Sequence, residues 1–319
     1  MCAPPAGAAI VVQMAPSPGV DLAIRDATVL NVRSGRSQAI DSGTARAVVA
    51  RRTIEARGRV VTPGVFDVHS HSGMVLGDSV TPTNGYITHL VMRPDSIAAY
   101  RRRYAEMYLP YGVTSVRDVG SEERDMPMLL AWMRRSADAP DFYPVGAQFI
   151  SPEPGRVPPP FQIALADSAA AAAQVRRYYA LGIRDIKLYW RLNRPAFDGA
   201  LAAALALGMR PDGHVGDGTV RFRRLHASLT PTLRIEAQRL GLTYVQSAPR
   251  IPMAGVFAIA TINGAEEGAE EVGQASAVGA VEVGKRADLI LFDRNPFDQP
   301  SNLLGPKTVI KSGVVWCRK

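Results

Sequence analysis

The sequence predicts an α/β protein in which βα units surround a parallel sheet and both chain ends meet in a small β-domain. The first observation is a repeated joint. Helix-like stretches end in a glycine that opens directly into an apolar run at Tyr111-Gly112-Val113, Leu181-Gly182-Ile183, Leu207-Gly208-Met209 and Leu240-Gly241-Leu242. Glycine just past a helix end supplies the left-handed backbone that closes it, so this recurrence implies βα units. The second observation is capping chemistry: Asp167 and Ser168 suit the start of the Ala-rich run ending at Leu181, and Pro195 suits the first turn of the run ending at Leu207. The third is that Asp21 to Asn31, Val278 to Val283, Ala287 to Asp293, Thr308 to Lys311 and Val314 to Cys317 alternate or cluster β-formers around glycine turns.

The parallel sheet is expected to contain Val65 to His71, Val113 to Arg117, Tyr143 to Ile150, Asp185 to Tyr189 and Met209 to His214. The segment from Pro152 to Pro160 holds five prolines and reads as a loop, because βα patterning resumes after it. The chain therefore divides into a loose tail over residues 1–16, a β-domain from 17–62 with 273–319, and a βα body over 63–272.

Bulk properties exclude several classes. A hydrophobic fraction of 47% with 21% charged residues is that of a globular chain, and no apolar run approaches the ~20 residues of a membrane span. The formal charge of +8 draws on Arg101 to Arg103 and Arg221 to Arg224, but neither cluster carries a nucleic-acid motif. They read as solvated helix faces, and neither a nucleic-acid nor a membrane partner is expected. Cys2 and Cys317 are the only cysteines, which excludes a disulfide framework and a Cys-rich zinc site. No Lys or Arg precedes Arg25, so the basic start of a secretory signal is absent and a cytoplasmic location is expected.

The chemistry concentrates in Pro63-Gly64-Val65-Phe66-Asp67-Val68-His69-Ser70-His71. On a strand, alternate residues share a face, which sets Asp67, His69 and His71 together with Phe66 and Val68 opposite. Two imidazoles so spaced can bind one metal ion, with the carboxylate available to orient a ring nitrogen. A bare His-x-His is weak evidence. Preceded by Pro-Gly and Asp, after an extended β-segment, it resembles the first-strand signature of the amidohydrolase superfamily, in its imidazolonepropionase and prolidase-like branch.

That resemblance implies a (β/α) TIM-type barrel with a small β-sandwich domain, and His69 and His71 as metal ligands. Lys187, in Asp185-Ile186-Lys187-Leu188-Tyr189-Trp190, stands where the superfamily carries a fourth-strand lysine that is carboxylated and bridges two metal ions. Ile186, Leu188 and Trp190 are then expected to face the helices. The alternative is a lysine reaching solvent at a strand end. His214 resembles the fifth-strand histidine, the alternative being a surface-loop residue. Ala260 to Ala265 with Val283 to Leu291 is similar to the family's last barrel helix and its return into the β-domain, where Asp288 is conformational.

The pattern also departs from the family. His226 follows His214 too closely to admit a helix and a strand, and Ser247 stands where a strand-six histidine would. No aspartate occurs between Asp217 and Asp288, so the strand-eight base is missing and the barrel is expected to lack part of strands six to eight. Residues 37–56 lack the usual strand pair around a glycine turn. The implied function is a metal-dependent hydrolase of carbon–nitrogen bonds in a small molecule, using one or two divalent ions, zinc above all, held by His69, His71, Lys187 and His214, with Asp67 supporting and His226 a weaker candidate. The alternative is a truncated or degenerate homologue that acts as a scaffold or binding protein. An uncovered sheet edge gives a reason to expect homo-oligomers. No P-loop, dinucleotide fingerprint or nucleophile elbow is present.

Overall fold

The computed structural model describes residues 10–11, 20–32, 34, 36–40, 50–71, 97–209, 211–213, 257–263, 265, 277–305 and 307–316. From the N-terminus the strands are β1 (Ile10–Val11), β2 (Val20–Arg25), β3 (Ala27–Asn31), β4 (Arg36–Ile40), β5 (Ala50–Glu55) and β6 (Val60–Pro63). The β-forming run from Asp21 to Asn31 is split at Asp26, whose φ of 49° makes a corner. Aspartate tolerates that left-handed backbone better than most residues. The corner sends the two halves into different sheets: β2 lies between β1 and β5, while β3 lies between β4 and β6. Strands thus stand at both ends of the stretch 37–56. They pair with β3 and β2, not with each other.

The βα body follows. Its strands are β7 (Val65–Ser70), β8 (Val113–Asp118), β9 (Asp141–Pro144), β10 (Gln148–Ile150), β11 (Gln162–Ala164), β12 (Lys187–Leu188) and β13 (Asp212–Gly213). Every pairing among them is parallel, in the orders β7-β8-β9 and β11-β10-β12-β13. β9 and β10 are successive parts of one segment, and its pairing with the chain after β8 continues through Val145 N to Asp118 O (3.0 Å) and Ser121 N to Gly146 O (3.0 Å). The two parallel sheets are thus joined through this segment, and the outer edge of β13 has no strand partner among the described residues.

Four helices cover this layer: α1 (Ile97–Tyr108), α2 (Met126–Trp132), α3 (Ser168–Ala180) and α4 (Arg194–Ala206). The expected Asp167 cap and the Pro195 first turn are present, and Asn193 adds a cap that was not expected. Asp167 accepts the Ala170 N–H at 2.9 Å, and Asn193 accepts that of Ala196 at 2.9 Å with Pro195 in the first turn. Gly112, Gly182 and Gly208 all adopt positive φ at the helix-to-strand joints, and the Gly241 joint lies outside the described residues. At Gly112 a side chain would also collide with Ile290 of the β-domain, so this joint needs glycine twice over. The core of the body packs Tyr104, Trp132, Phe142, Phe149 and Tyr178 between sheet and helices.

The C-terminal strands β14 (Leu289–Phe292), β15 (Lys307–Lys311) and β16 (Val314–Val315) complete a six-stranded sheet in the order β16-β15-β14-β6-β3-β4. β14 pairs directly with β6, so the chain ends do meet. Leu22 and Ile24 of β2 share a core with Val61, Leu289, Leu291 and Ile310, which places the two N-terminal sheets face to face. Val278 to Val283 forms no strand; Val278 instead packs on Phe66 and Tyr143. Among the described residues no helix is long and apolar enough to cross a membrane.

Candidate active site

Strand β7 carries Asp67 and His69, with His71 one residue past its end. The two imidazole rings lie 5.4 Å apart, edge to face at 72°. Simple alternation does not hold along the strand: Asp67 stands opposite Val116 and Ser70 opposite Asp118, so β7 contains one residue more than β8 across that interval. A bulge of this kind re-aims side chains. The Asp67 carboxylate meets its neighbour through the backbone, accepting the His69 N–H at 3.0 Å.

His71 is oriented from the next strand. Its Nδ1 lies 3.2 Å from the Gly120 carbonyl oxygen. A carbonyl only accepts, so this contact places the proton on Nδ1 and leaves the Nε2 lone pair available. The carbonyl is positioned in turn by Asp118 at the end of β8, which accepts the Gly120 N–H at 3.1 Å and the Ser121 hydroxyl at 2.8 Å. An aspartate two residues before a glycine makes a local turn with its own carboxylate. This support for His71 is local in sequence.

Lys187 sits deeper. Its strand neighbours Ile186 and Leu188 join the helix-facing core, whereas Lys187 faces the other side and is 0% exposed. Trp190, expected to face the helices, is 45% exposed instead, because the strand has already ended in a turn. The strand register sets Gln162, Gln148, Lys187 and Asp212 side by side across β11, β10, β12 and β13. All of them are buried. Gln162 Nε2 donates to Gln148 Oε1 at 3.1 Å, and Lys187 Nζ donates to Asp212 Oδ2 at 3.3 Å.

Arg117 closes this row from β8. One guanidinium nitrogen donates to Asp212 Oδ2 at 2.8 Å and another to Asp185 Oδ2. The result is a buried quartet of two cations and two carboxylates. Burial, together with the Arg117 charge, lowers the Lys187 pKa despite the attraction of Asp212. Burial pushes the Asp212 carboxyl up, but Arg117 and Lys187 outweigh it and hold it below the usual carboxylate range.

The structure therefore brings His69 and His71 together, and Lys187 together with Asp212, Asp185 and Arg117. His214, which directly follows Gly213 of β13, and His226 lie outside the described residues, as do His89 and Ser247. Among the described residues no group of three His, Cys, Asp or Glu side chains converges as a metal site. The donor types nonetheless fit a divalent ion: two adjacent imidazoles at a strand end, one with its tautomer held by a carbonyl. Sequence reasoning missed Arg117, Asp118, Asp185 and Asp212. The available signal was a guanidinium inside the strand-forming run Val113 to Val119, a position that demands a buried counter-charge.

Comparison with known proteins follows the same lines. No family model matches the chain, and no curated protein matches its sequence. Solved structures do. A Xaa-Pro dipeptidase with bound methionine in its active site superposes with a TM-score of 0.61 at 18% identity, over 92% of this chain and 99% of that one. Phenylurea hydrolase B gives 0.62 at 14% identity, over 93% and 97%. An ochratoxinase from A. niger gives 0.62 at 16% identity, over 94% and 96%. At such identities the likeness is one of fold: a mixed α/β fold shared with structures described as a Xaa-Pro dipeptidase, an amidohydrolase and a phenylurea hydrolase.

Proposed function

We propose that this chain is a metal-dependent amidohydrolase that cleaves a carbon–nitrogen bond of a small amide, on a (β/α) barrel lacking part of strands six to eight and carried by a β-sandwich from residues 17–62 and 273–319. The observation that carries this reading is the His69–His71 ring pair at the C-terminal end of the first parallel strand, where barrels of this type place their chemistry. The fold shared with a Xaa-Pro dipeptidase and phenylurea hydrolase B supports it.

His69 and His71 hold one divalent ion, zinc in the first instance, through ring nitrogens, with His71 using Nε2 because Nδ1 is committed to Gly120. Lys187 and His214 complete the set, Lys187 as a carbamate formed by adding carbon dioxide to its amine with loss of one proton. Asp67 stiffens the ligand strand by holding the His69 backbone. When bound, such an ion polarises a carbonyl and makes a water more acidic. Arg117 holds the Asp212 carboxyl below its usual range and ties Asp185 and Asp212 in place beside Lys187.

Metal analysis of the purified chain tests this reading. At least one tightly bound ion per chain is expected, lost in His69→Ala, together with turnover of simple amides or dipeptide-like amides. Well-folded protein that binds no metal would defeat the proposal and leave a scaffold or binding role.

A further inference from the structure

A cavity of about 1030 Å³ lies away from the histidine pair, between β5 with its following turn on one side and β15 with β16 on the other. Its lining includes Arg51, Arg52, Arg57, Arg59 and Lys307, with Trp316. Only two carboxylates join them, Glu55 and Asp293. Arg51 and Arg52 follow one another on β5, whose outer edge has no strand partner among the described residues, and both are exposed. Arg57 is exposed in the next turn. Arg59 links the walls, donating to Thr308 Oγ1 at 3.3 Å with Asp293 3.8 Å away.

Arg51, Arg52 and Arg57 put positive charge about the cavity, with Arg59 held by Thr308 and Asp293 and the Lys307 ammonium donating to the Leu303 carbonyl at 2.6 Å, and an entering anion offsets that charge. Guanidinium groups match phosphate oxygens in fork geometry, and cations on both walls suit an anion with several charged groups in a row. Trp316 is half-buried, backed by Ala105, Leu109 and Ala139 of the βα body, so its ring forms a fixed wall. A fixed indole beside a cationic cleft suits a planar ring. The volume suits a small ligand of this size.

We infer that this cleft binds a small polyphosphate carrying a planar ring, of the nucleoside di- or triphosphate class, with the arginines on the phosphates and Trp316 beside the ring. The site is independent of the proposed hydrolysis and shares no residue with it.

The test titrates the full chain with inorganic tripolyphosphate and with ATP, by calorimetry and by tryptophan fluorescence. Saturable binding of both is expected at one per chain, weakening steeply with salt. ATP alone should change the Trp316 emission, a signal removed by Trp316→Phe. Affinity for both should drop about tenfold or more in the double variant Arg52→Glu with Arg57→Asn; asparagine tolerates the φ of 52° at residue 57. If that variant shifts the unfolding midpoint, Arg52→Gln alone should still weaken binding severalfold. Absence of saturable binding, or affinity unchanged in the variants, overturns the site. Equal affinities with no Trp316 signal overturn the ring contact, and a duplex oligonucleotide that outcompetes ATP overturns the ligand class.

Discussion

Two buried ionic quartets of equal charge do different work in this molecule. One joins Arg117, Asp185, Asp212 and Lys187 inside the βα body. The other joins Asp141 at the start of β9 to Arg286, Asp288 and Lys311 of the β-domain. Each contains a lysine that is 0% exposed. Lys311 lies between two carboxylates, at 2.8 Å from Asp288 and 3.1 Å from Asp141. Asp288 is anchored further: it accepts the Ser312 N–H at 2.7 Å, and its carbonyl accepts that of Gly64 at 2.7 Å, just before β7 begins. Lys187 has one carboxylate contact, at 3.3 Å, and the Arg117 cation close behind it. The seam lysine is fully compensated and holds two parts of the fold together. The interior lysine is under-compensated, and that is the condition in which an ammonium becomes chemically adaptable.

The largest expected effect falls on the seam. Lys311→Met removes one of the two cations that Asp141 and Asp288 share, leaving both carboxylates on Arg286, and should cost about 3–5 kcal/mol in urea unfolding. A loss below about 1 kcal/mol would break the comparison. Lys187→Met should cost less, roughly 2–3 kcal/mol, because it gives up one carboxylate contact at 3.3 Å where Lys311 gives up two shorter ones; the same variant should abolish the proposed turnover. Equal losses at both lysines would mean that the interior site is structural as well.

Asp125 extends the scale to a buried carboxylate whose nearest cation, Arg124, is 4.0 Å away. Burial first, and then Glu122, raise its pKa from 3.8 to about 7. The folded state therefore binds the proton more tightly than the unfolded chain. Stability contributed by the protonated form is complete below about pH 4 and is lost as pH rises to about 7. Asp125→Asn should flatten that decline and add about 2 kcal/mol at pH 8, read by thermal unfolding across pH. The smallest effect belongs to an exposed carboxylate with a single role: Asp167→Ala removes the cap of α3 and should cost about 1 kcal/mol.

The legible parts of this molecule are those decided by neighbours in sequence. Glycine joints, the Asp167 cap, Pro195 in the first turn of α4 and the His69–Ser70–His71 spacing all act within a few residues. Arg117 was not legible as a site residue because its partners lie 68 and 95 residues away, and Lys311 finds Asp141 only after both chain ends have met. Strands β4 and β5 escaped notice because their exposed arginines mask the alternation that reveals a half-buried strand. The bulge between Asp67 and Ser70 is equally silent, since it depends on the register of β8.

By itself the sequence determined the α/β class, the helix ends and the strand that carries the histidine pair, because hydrophobic period, caps and turn residues act locally. Tertiary structure alone decided which buried charges neutralise one another, where β7 departs from alternation, and which arginines share a cleft. Those outcomes depend on distances between residues far apart in the chain, and burying a charge is tolerated only where folding has already delivered its partner.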